Sequence, residues 1–306
     1  MRRSTANILL LFVGAIWGMG FVAQSTAMET IEPVFFTGIR FLAGALAVLP
    51  FAIWEYRKQQ QSHEHKATQR FKQALPGYIL IGTILFTALV TQQFGLMTTT
   101  VTNSGFLTGL YVVITPILSV IIFRQAPHWI IWPAAALTLL GIFLLAGGRL
   151  TNLNTGDLWI LLCALLWACH VLALGRVLAN AGQSAQPFTL ACTQFFVCAI
   201  LGLAIAFVFE TPTLKSVIDA GPEILFTGVI SGGLAFTLQA LAQRQTTAPQ
   251  AAIFMSSEAL FAALFGAIIL GERIGIIGII GCGLMFSAML IVEIVPALRK
   301  KTLVQI

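Results

Sequence analysis

Long apolar segments separated by short connections constrain this fold more than any other feature. The hydrocarbon core of a bilayer is about 30 Å thick, and a helix needs about 20 apolar residues to cross it. Only 9% of the residues are charged, against about 25% in a typical soluble domain. The sequence therefore predicts an all-α membrane protein with ten transmembrane helices, roughly at residues 6–26, 34–54, 76–97, 101–123, 128–147, 157–178, 187–209, 222–243, 249–271 and 274–295.

The connections leave no room for a soluble module, because the longest polar stretch covers only residues 55–75. The chain contains no Walker motif and no metal-binding spacing such as HExxH, and none of its five cysteines forms a CxxC pair. One Glu and one His, Glu258 and His170, lie deep inside predicted spans without a recognisable catalytic partner. We therefore expect no cofactor, no metal and no enzymatic activity, and a function carried out within or across the bilayer.

Basic residues are distributed unevenly between the two sides of the predicted bundle. Cytoplasmic loops of membrane proteins carry an excess of Lys and Arg, so both termini are expected in the cytoplasm. With this orientation Arg149, Lys215 and Arg273 fall outside and Arg40 lies inside a span. The net charge of +6 is then explained by topology and anionic lipid rather than by a nucleic-acid partner. The other 13 of the 17 basic residues fall on the cytoplasmic side: Arg2, Arg3, Arg57, Lys58, Lys66, Arg70, Lys72, Arg124, Arg176, Arg244, Arg299, Lys300 and Lys301.

The two halves of the chain resemble each other. The stretch QQFGLMTTTVTNSGFLTGLYVVITPILSVIIFRQAP aligns without a gap with QALAQRQTTAPQAAIFMSSEALFAALFGAIILGERI, which pairs Tyr111 with Glu258. Each half holds five spans, and because five is odd, the second copy must cross the membrane upside down. Inverted repeats are typical of secondary transporters. We therefore predict two inverted five-helix repeats, at residues 1–150 and 151–306.

Three stretches carry a family resemblance: IWG in the first span, PVFFTGIRFLAGAL in the second, and SSEALFAALFGAIILGERIGIIGIIGCGLMF in the last two. With the five-plus-five arrangement, they resemble the EamA-type transporters of the drug/metabolite transporter superfamily. Many members carry Glu-Pro where this chain has Glu258 and Ala259, so it departs from the common pattern there. The resemblance implies a helix bundle with the substrate path between the repeats, and transport of a small organic solute such as an amino acid or metabolite.

A carboxylate lies near the middle of the ninth predicted span. A charged side chain at a helix centre costs about 2.5–3.5 kcal/mol, so we expect Glu258 to face protein or water. At helical spacing it shares a face with Met255 and Ala262, and the equivalent face of the fourth span carries Thr108 and Tyr111. We predict the central cavity at these faces. Glu258 is then either a substrate-amine contact or proton site, or a structural hydrogen-bond partner for another helix.

Other embedded side chains are candidates for the same cavity. Arg40 lies about two turns into the second span and either binds an anionic group, closes a gate, extends to the interface or pairs permanently with a carboxylate. Gln92 and Gln239, which are equivalent in the repeats, need partners within the bilayer and either line the cavity or link helices. Trp17 and Trp167 lie mid-span, away from the interfaces where Trp is enriched, and form either cavity walls or interior packing.

These patterns favour a secondary transporter that moves a small organic solute across the cell membrane by alternating access. A membrane receptor or scaffold and an intramembrane enzyme are the alternatives. We expect a small-molecule substrate and the lipid bilayer as partners, and a multi-pass location in a bacterial inner membrane. The sequence leaves open whether the protein forms a homodimer.

Overall fold

The chain is almost entirely helical in a computed structural model that describes residues 3–62, 66–148, 154–182, 185–269, 271 and 273–304. No strand occurs in these ranges. The helices are α1 (Arg3–Ala27), α2 (Pro33–Ser62), α3 (Lys66–Leu96), α4 (Val101–Thr108), α5 (Tyr111–Phe123), α6 (Ile131–Leu145), α7 (Thr155–Ala181), α8 (Pro187–Phe209), α9 (Leu214–Asp219), α10 (Gly221–Leu225), a π-helix (Phe226–Phe236), α11 (Thr237–Gln243), α12 (Ala248–Met255), α13 (Ser257–Ile269) and α14 (Ile276–Val304).

Nine segments of the described chain are long and apolar enough to cross a membrane. The fifth predicted span, 128–147, is present as the shorter helix α6, which has 15 residues. In the turn before it, His128 Nδ1 accepts a hydrogen bond from the backbone N–H of Ile130 at 3.3 Å. It ends where Gly147 and Gly148 adopt positive φ, a conformation that terminates helices. The all-α architecture predicted from the sequence is confirmed.

The helices are arranged as two inverted five-span repeats, α1 to α6 and α7 to α14. Helix α1 packs along α13, and its repeat counterpart α7 packs along α4 and α5. Helix α3 packs along α7, and correspondingly the π-helix and α11 pack along α1. Helix α2 pairs with α8, and α6 with α14. Because each repeat has an odd number of spans, these matching contacts arise only when one repeat is inverted. The predicted boundary between residues 150 and 151 lies outside the described residues.

The ends of the spans form two faces. We name the one that is rich in Lys and Arg the basic face and the other the opposite face. The basic face includes the start of α1 and the start of α12, which meet where Arg3 Nη2 donates to Gln250 Oε1 at 2.5 Å. The opposite face includes the end of α8, where Glu210 caps the start of α2. Most of the lysines and arginines counted above belong to the basic face; Arg2 and Arg149 lie outside the part of the chain that the structure describes.

Helices α2 and α8 cap each other at both faces. On the opposite face, Glu210 accepts hydrogen bonds from the backbone N–H groups of Val34 and Phe35, at 2.9 and 2.6 Å. On the basic face, Glu55 accepts from the backbone N–H and the hydroxyl of Thr189, at 2.8 and 2.9 Å. A carboxylate at a helix N-terminus satisfies free N–H groups and stabilises the helix dipole. The reciprocal caps make α2 and α8 a symmetrical frame for the other spans.

Two spans predicted as continuous helices, 101–123 and 249–271, are interrupted near their middle. Gly109 and Leu110 separate α4 from α5, and Ser256 separates α12 from α13, at equivalent positions of the two repeats. The Ser256 hydroxyl donates to a carbonyl oxygen in the preceding turn at 2.7 Å, which satisfies one of the groups freed by the break. Helices interrupted at mid-membrane are a feature of transporter binding sites.

The eighth span contains a π-helix over Phe226–Phe236, where the sequence predicts a regular α-helix. Gly228 lies against the backbone of α2, and a Cβ atom there would collide with the carbonyl oxygen of Arg40. The wider π turns bring Thr227 and Ser231 into the interior of the bundle. Segments of this kind occur frequently at functional sites.

Candidate functional site

A small cavity lies between the two repeats, and every residue that lines it is buried. Its volume is ≈ 30 Å³, enough for one or two water molecules. Six of the predicted site residues line it, namely Glu258, Arg40, Thr108, Gln92, Trp17 and Trp167. The remaining wall is formed by Phe21, Gln24, Phe41, Leu89, Thr227, Ser231 and Phe236.

Glu258 lies in the first turn of α13, immediately after the break in the ninth span. Its side chain is 3% exposed, and the N-terminal end of the helix dipole stabilises a carboxylate at this position. Glu258 Oε1 and the hydroxyl of Tyr111 are buried, and neither has a hydrogen-bond partner among the described residues. The carboxylate therefore retains the capacity to accept hydrogen bonds from a molecule in the cavity.

Close packing of α1 against α13 fixes the position of Glu258. A Cβ atom at Gly18 would lie 2.8 Å from the carbonyl oxygen of Glu258 and 2.7 Å from the backbone nitrogen of Ala262. A Cβ atom at Gly14 would lie 3.0 Å from the backbone nitrogen of Glu258. Small residues at such points let helix backbones approach closely. Helix α1 thus sets the depth at which the carboxylate enters the cavity.

Arg40 is a buried cation on the side of the cavity nearer the opposite face. Its Nη1 donates at 2.6 Å to Gln24 Oε1, which also accepts from Gln93 Nε2 at 2.5 Å. The guanidinium carbon lies 5.0 and 5.1 Å from the ring centroids of Phe36 and Phe41, a cation–π arrangement. Arg40 Nε and Nη2 have no partner in the described ranges. The side chain is 3% exposed, so it does not extend to the interface, and it retains free donors.

An aromatic layer closes the cavity toward the basic face. The ring centroids of Trp17 and Trp167 lie 5.3 Å apart, and the ring of Phe236 lies 4.9 and 5.7 Å from them. Trp17 Nε1 donates to the carbonyl oxygen of Ser231 at 3.1 Å, which ties α1 to the π-helix. The two tryptophans serve as cavity wall and as packing at the same time.

A second polar layer lies beyond the aromatic layer. His170 stacks on Trp167 with ring centroids 5.3 Å apart. With a proton on Nε2, His170 donates to Gln194 Oε1 at 3.1 Å. Gln239 is fully buried, and neither of its amide atoms has a partner among the residues described. Gln239 and Tyr111 are thus the two predicted site residues that do not line the cavity.

A vestibule of ≈ 500 Å³ lies on the basic face, among the starts of α1 and α12 and the ends of α5, α7 and α11. Its wall contains the arginines Arg3, Arg176 and Arg244. Along α7 the cavity ends at Trp167 and the vestibule begins at Leu172. The aromatic layer and the polar layer of His170 and Gln239 therefore separate the two spaces.

Three side chains join the repeats on the opposite face, and we name this cluster the opposite-face latch. Thr99 Oγ1 donates to Asp157 Oδ1 at 2.7 Å, and Asn103 Nδ2 donates to the same oxygen. Asp157 Oδ2 accepts from the backbone N–H of Asn154 at 3.0 Å, which completes a capping box at the start of α7. The latch connects the turn between α3 and α4 to α7.

The repeat counterparts of the latch residues lie on the basic face without a hydrogen bond between them. For Thr99, Asn103 and Asp157 in that order, they are Thr246, Gln250 and Asn7; the first two line the vestibule. Each has a buried polar atom without a partner in the described part of the chain: Thr246 Oγ1, Gln250 Nε2 and Asn7 Oδ1. The hydrogen bonds of this cluster are therefore formed on the opposite face and absent on the basic face.

The sequence interpretation missed several residues of the cavity. Gln24 lies near the end of α1, where a polar residue resembles a helix-end contact, but it follows Trp17 by two helical turns and so shares its face. Thr227 and Ser231 lie in the π-helix, which shifts their direction from that of a regular helix. The spacing of Trp17 and Gln24 was the one available signal.

The described residues contain no group of three or more His, Cys, Asp or Glu that could hold a metal ion. The cysteines are free, and three of them, Cys163, Cys192 and Cys198, are buried. The chemistry available at the cavity is therefore that of hydrogen bonds, charge and aromatic contacts.

Comparison with known proteins identifies relatives across almost the whole chain. The model of the EamA-like transporter family matches residues 4–147 and again residues 154–294. An uncharacterized transporter of Archaeoglobus fulgidus is 28% identical over 295 residues, which are 96% of this chain and 87% of that protein. The uncharacterized transporter YoaV of Bacillus subtilis is 24% identical over 293 residues, 91% of this chain and 94% of that protein. A solved crystal structure shares the fold, with a TM-score of 0.73 at 15% identity over 96% of this chain and 98% of that one.

Proposed function

Because the chain belongs to the EamA-like transporter family, we propose that it is a secondary transporter that moves a small organic solute, such as an amino acid or metabolite, by alternating access. The observation that carries the proposal is the central cavity, whose wall holds the carboxylate of Glu258 and the guanidinium of Arg40. Neither group has an ion-pair partner among the described residues. In inverted-repeat transporters the substrate binds at such a midplane cavity between the repeats.

The two charges favour a solute that carries both a cationic and an anionic group. A buried charge without a partner is costly, and a ligand of opposite charge offsets that cost. Glu258 accepts hydrogen bonds from an ammonium group, and the free Nε and Nη2 of Arg40 donate to a carboxylate. An amino acid in its zwitterionic form meets both requirements, and Thr108 and Gln92 supply further polar contacts.

The cavity must change size during transport. Its ≈ 30 Å³ are far below the roughly 300 Å³ or more of typical ligand pockets. The solute therefore enters only when one wall moves away. The aromatic layer of Trp17, Trp167 and Phe236 is the wall on the basic face, and the polar layer of His170 and Gln239 lies behind it. Displacement of both layers joins the cavity to the vestibule.

The unequal state of the two faces supports alternating access. The opposite-face latch is fully bonded through Asp157, whereas its counterparts Asn7, Thr246 and Gln250 each keep an unpartnered buried atom. If the two repeats exchange conformations, Asn7, Thr246 and Gln250 form hydrogen bonds with one another and the opposite-face latch opens. The partner-less atoms are thus explained as groups that bond in the other state.

The decisive experiment measures solute flux in proteoliposomes. A thermal-shift screen of the purified protein against amino acids, nucleosides and amines identifies a candidate solute, whose flux is then measured at two pH values. Glu258→Gln keeps the shape of the side chain but removes its charge, and we expect it to lower flux at least tenfold while the protein still folds. A difference in pH dependence between wild type and variant indicates a proton role for Glu258.

A matched control isolates the role of position. Glu29 is exposed in the connection after α1, so Glu29→Gln removes the same charge far from the cavity and should leave flux unchanged. Full activity of Glu258→Gln removes this residue from the mechanism. A folded wild-type protein that transports none of the stabilising solutes contradicts the proposed function and favours a receptor or scaffold.

We also propose that the basic face is cytoplasmic and that the protein resides in a bacterial inner membrane. The excess of Lys and Arg at this face supports the orientation. Protease or thiol-reagent access to a tag at either terminus of the chain in intact cells tests it, with protection as the expected result.

A further inference from the structure

The vestibule on the basic face is charged in a way that the central cavity is not. The residues that line it include three arginines, Arg3, Arg176 and Arg244, and no Asp or Glu within the described ranges. Three positive charges around one space attract an anion and repel a cation. A space of ≈ 500 Å³ is also within the size range of small-molecule sites.

The nearby carboxylates are already engaged. Glu55, which interacts electrostatically with Arg244, caps the start of α8 by accepting two hydrogen bonds from Thr189. Glu293, at the same face, accepts hydrogen bonds from Ser4 and Asn7. Neither lines the vestibule, so the three arginines are not neutralised by its wall.

Buried amide groups with free hydrogen-bonding atoms face the same space. Gln243 and Gln250 are each 3% exposed, and both line the vestibule. Gln250 Nε2 has no acceptor and Gln243 Oε1 no donor within the described residues. Gln250 Oε1 is held by Arg3 at 2.5 Å, which orients the amide so that its NH₂ group is left for a ligand.

Backbone groups add to the positive character of this wall. Helix α12 begins beside the vestibule, and its N-cap residue Thr247 and the following residues 248–250 line it. The N-terminus of a helix favours an anion. Arg176 is held in place by the ring of Phe123, which lies 5.5 Å from its guanidinium carbon.

We propose that this vestibule is a binding site for the carboxylate or phosphate group of a soluble organic anion. Arg176 and Arg244 supply charge, Gln250 Nε2 donates a hydrogen bond, and the space leads inward toward the aromatic layer. The inference deepens the proposed function and rests on it in one respect: the bound anion is the transported solute, held before it enters or after it leaves the cavity. Such a site selects for solutes with an anionic group.

Binding is measured on the full-length protein in neutral detergent, without any flux assay. Inorganic phosphate and succinate are the probes, titrated by calorimetry against sodium chloride of equal ionic strength. Arg176→Gln and Arg244→Gln should each weaken binding of both probes by about tenfold, and added salt should weaken binding to the wild type. Arg70→Gln, an exposed site on the same face outside the vestibule, should bind as the wild type does. Unchanged melting temperatures without probe exclude a folding defect as the cause.

A second arm distinguishes a soluble anion from a lipid headgroup. The protein is placed in nanodiscs of phosphatidylcholine with or without phosphatidylglycerol, and phosphate and succinate binding are compared. Equal binding in both supports the soluble source, whereas stabilisation by phosphatidylglycerol alone, with no effect of the soluble probes, overturns it. The proposed site is also overturned if Arg176→Gln, Arg244→Gln and Arg70→Gln all bind the probes equally well. If the vestibule variants lose binding but the wild-type protein transports no solute, the anion site stands and only the proposed transport function is refuted.

Discussion

The opposite-face latch yields the sharpest quantitative prediction, through the substitution Thr99→Val. The change keeps the shape of the side chain but removes the hydroxyl that donates to Asp157 Oδ1 at 2.7 Å. Hydrogen bonds to charged groups contribute about 1.5–3 kcal/mol, and Asn103 remains as the other side-chain donor. The equilibrium for opening the opposite face should shift by roughly tenfold to 150-fold.

Hydrogen–deuterium exchange reports this shift directly, because amide exchange follows the population of locally opened states. In Thr99→Val, backbone amides of residues 98–104 and 155–160 should exchange faster than in the wild type by that factor. Segments on the basic face should exchange no faster.

The counterpart Thr246→Val is the matched control. Its hydroxyl has no partner in this conformation, so its removal should not speed exchange on the opposite face, and in our account it disfavours the other state. Unchanged exchange in Thr99→Val, or equal acceleration at residues 98–104 in both variants, refutes the latch.

Two further substitutions test how the cavity is built. Gly18→Ala places a Cβ atom 2.7 Å from the backbone nitrogen of Ala262, and overpacking of this kind costs about 1–3 kcal/mol; a lower melting temperature and reduced flux are expected, and a wild-type value for both contradicts the packing of α1 on α13. Arg40→Lys keeps the positive charge but loses the planar fork of donors, so the KM for a carboxylate-bearing solute should rise in a protein that still folds; an unchanged KM would exclude Arg40 from substrate contact.

Much of the fold follows from the sequence alone, because the bilayer imposes its own length scale on every span. The inverted repeat could be predicted from a gap-free alignment, and the equivalence of Tyr111 and Glu258 holds in the structure, since each lies in the first turn after the break of its span. The position of Glu258 was predictable because a mid-span carboxylate must avoid lipid.

The interruptions of the spans could not be predicted, because apolar sequence satisfies a continuous helix equally well. Nothing in the composition around Ser256 distinguishes a broken helix from an intact one, and the bonds that compensate for the break depend on tertiary packing. The π-helix at Phe226–Phe236 has the same origin. It depends on the approach of Gly228 to the backbone at Arg40, which is a contact between distant parts of the chain.

The role of Arg40 could not be predicted from the sequence either, which left four roles open. Its burial depends on Gln24, whose Oε1 accepts hydrogen bonds from both Arg40 and Gln93, residues of two other helices. Gln239 was a candidate for the cavity wall but does not line the cavity. The repeat alignment pairs it with the cavity residue Gln92, yet Gln239 is fully buried outside the cavity.

Two-sided access to a single residue tests the central claim most directly. Thr108 is buried in the wall of the cavity, so Thr108→Cys, in a variant whose five native cysteines are replaced by alanine, reports solvent access to that space. A membrane-impermeant maleimide is added to one side of oriented vesicles at a time. Alternating access predicts that the cysteine reacts slowly from either side and that a bound solute protects it from both. Labelling from one side only, whatever the solute, would contradict a cavity that opens in turn to each face.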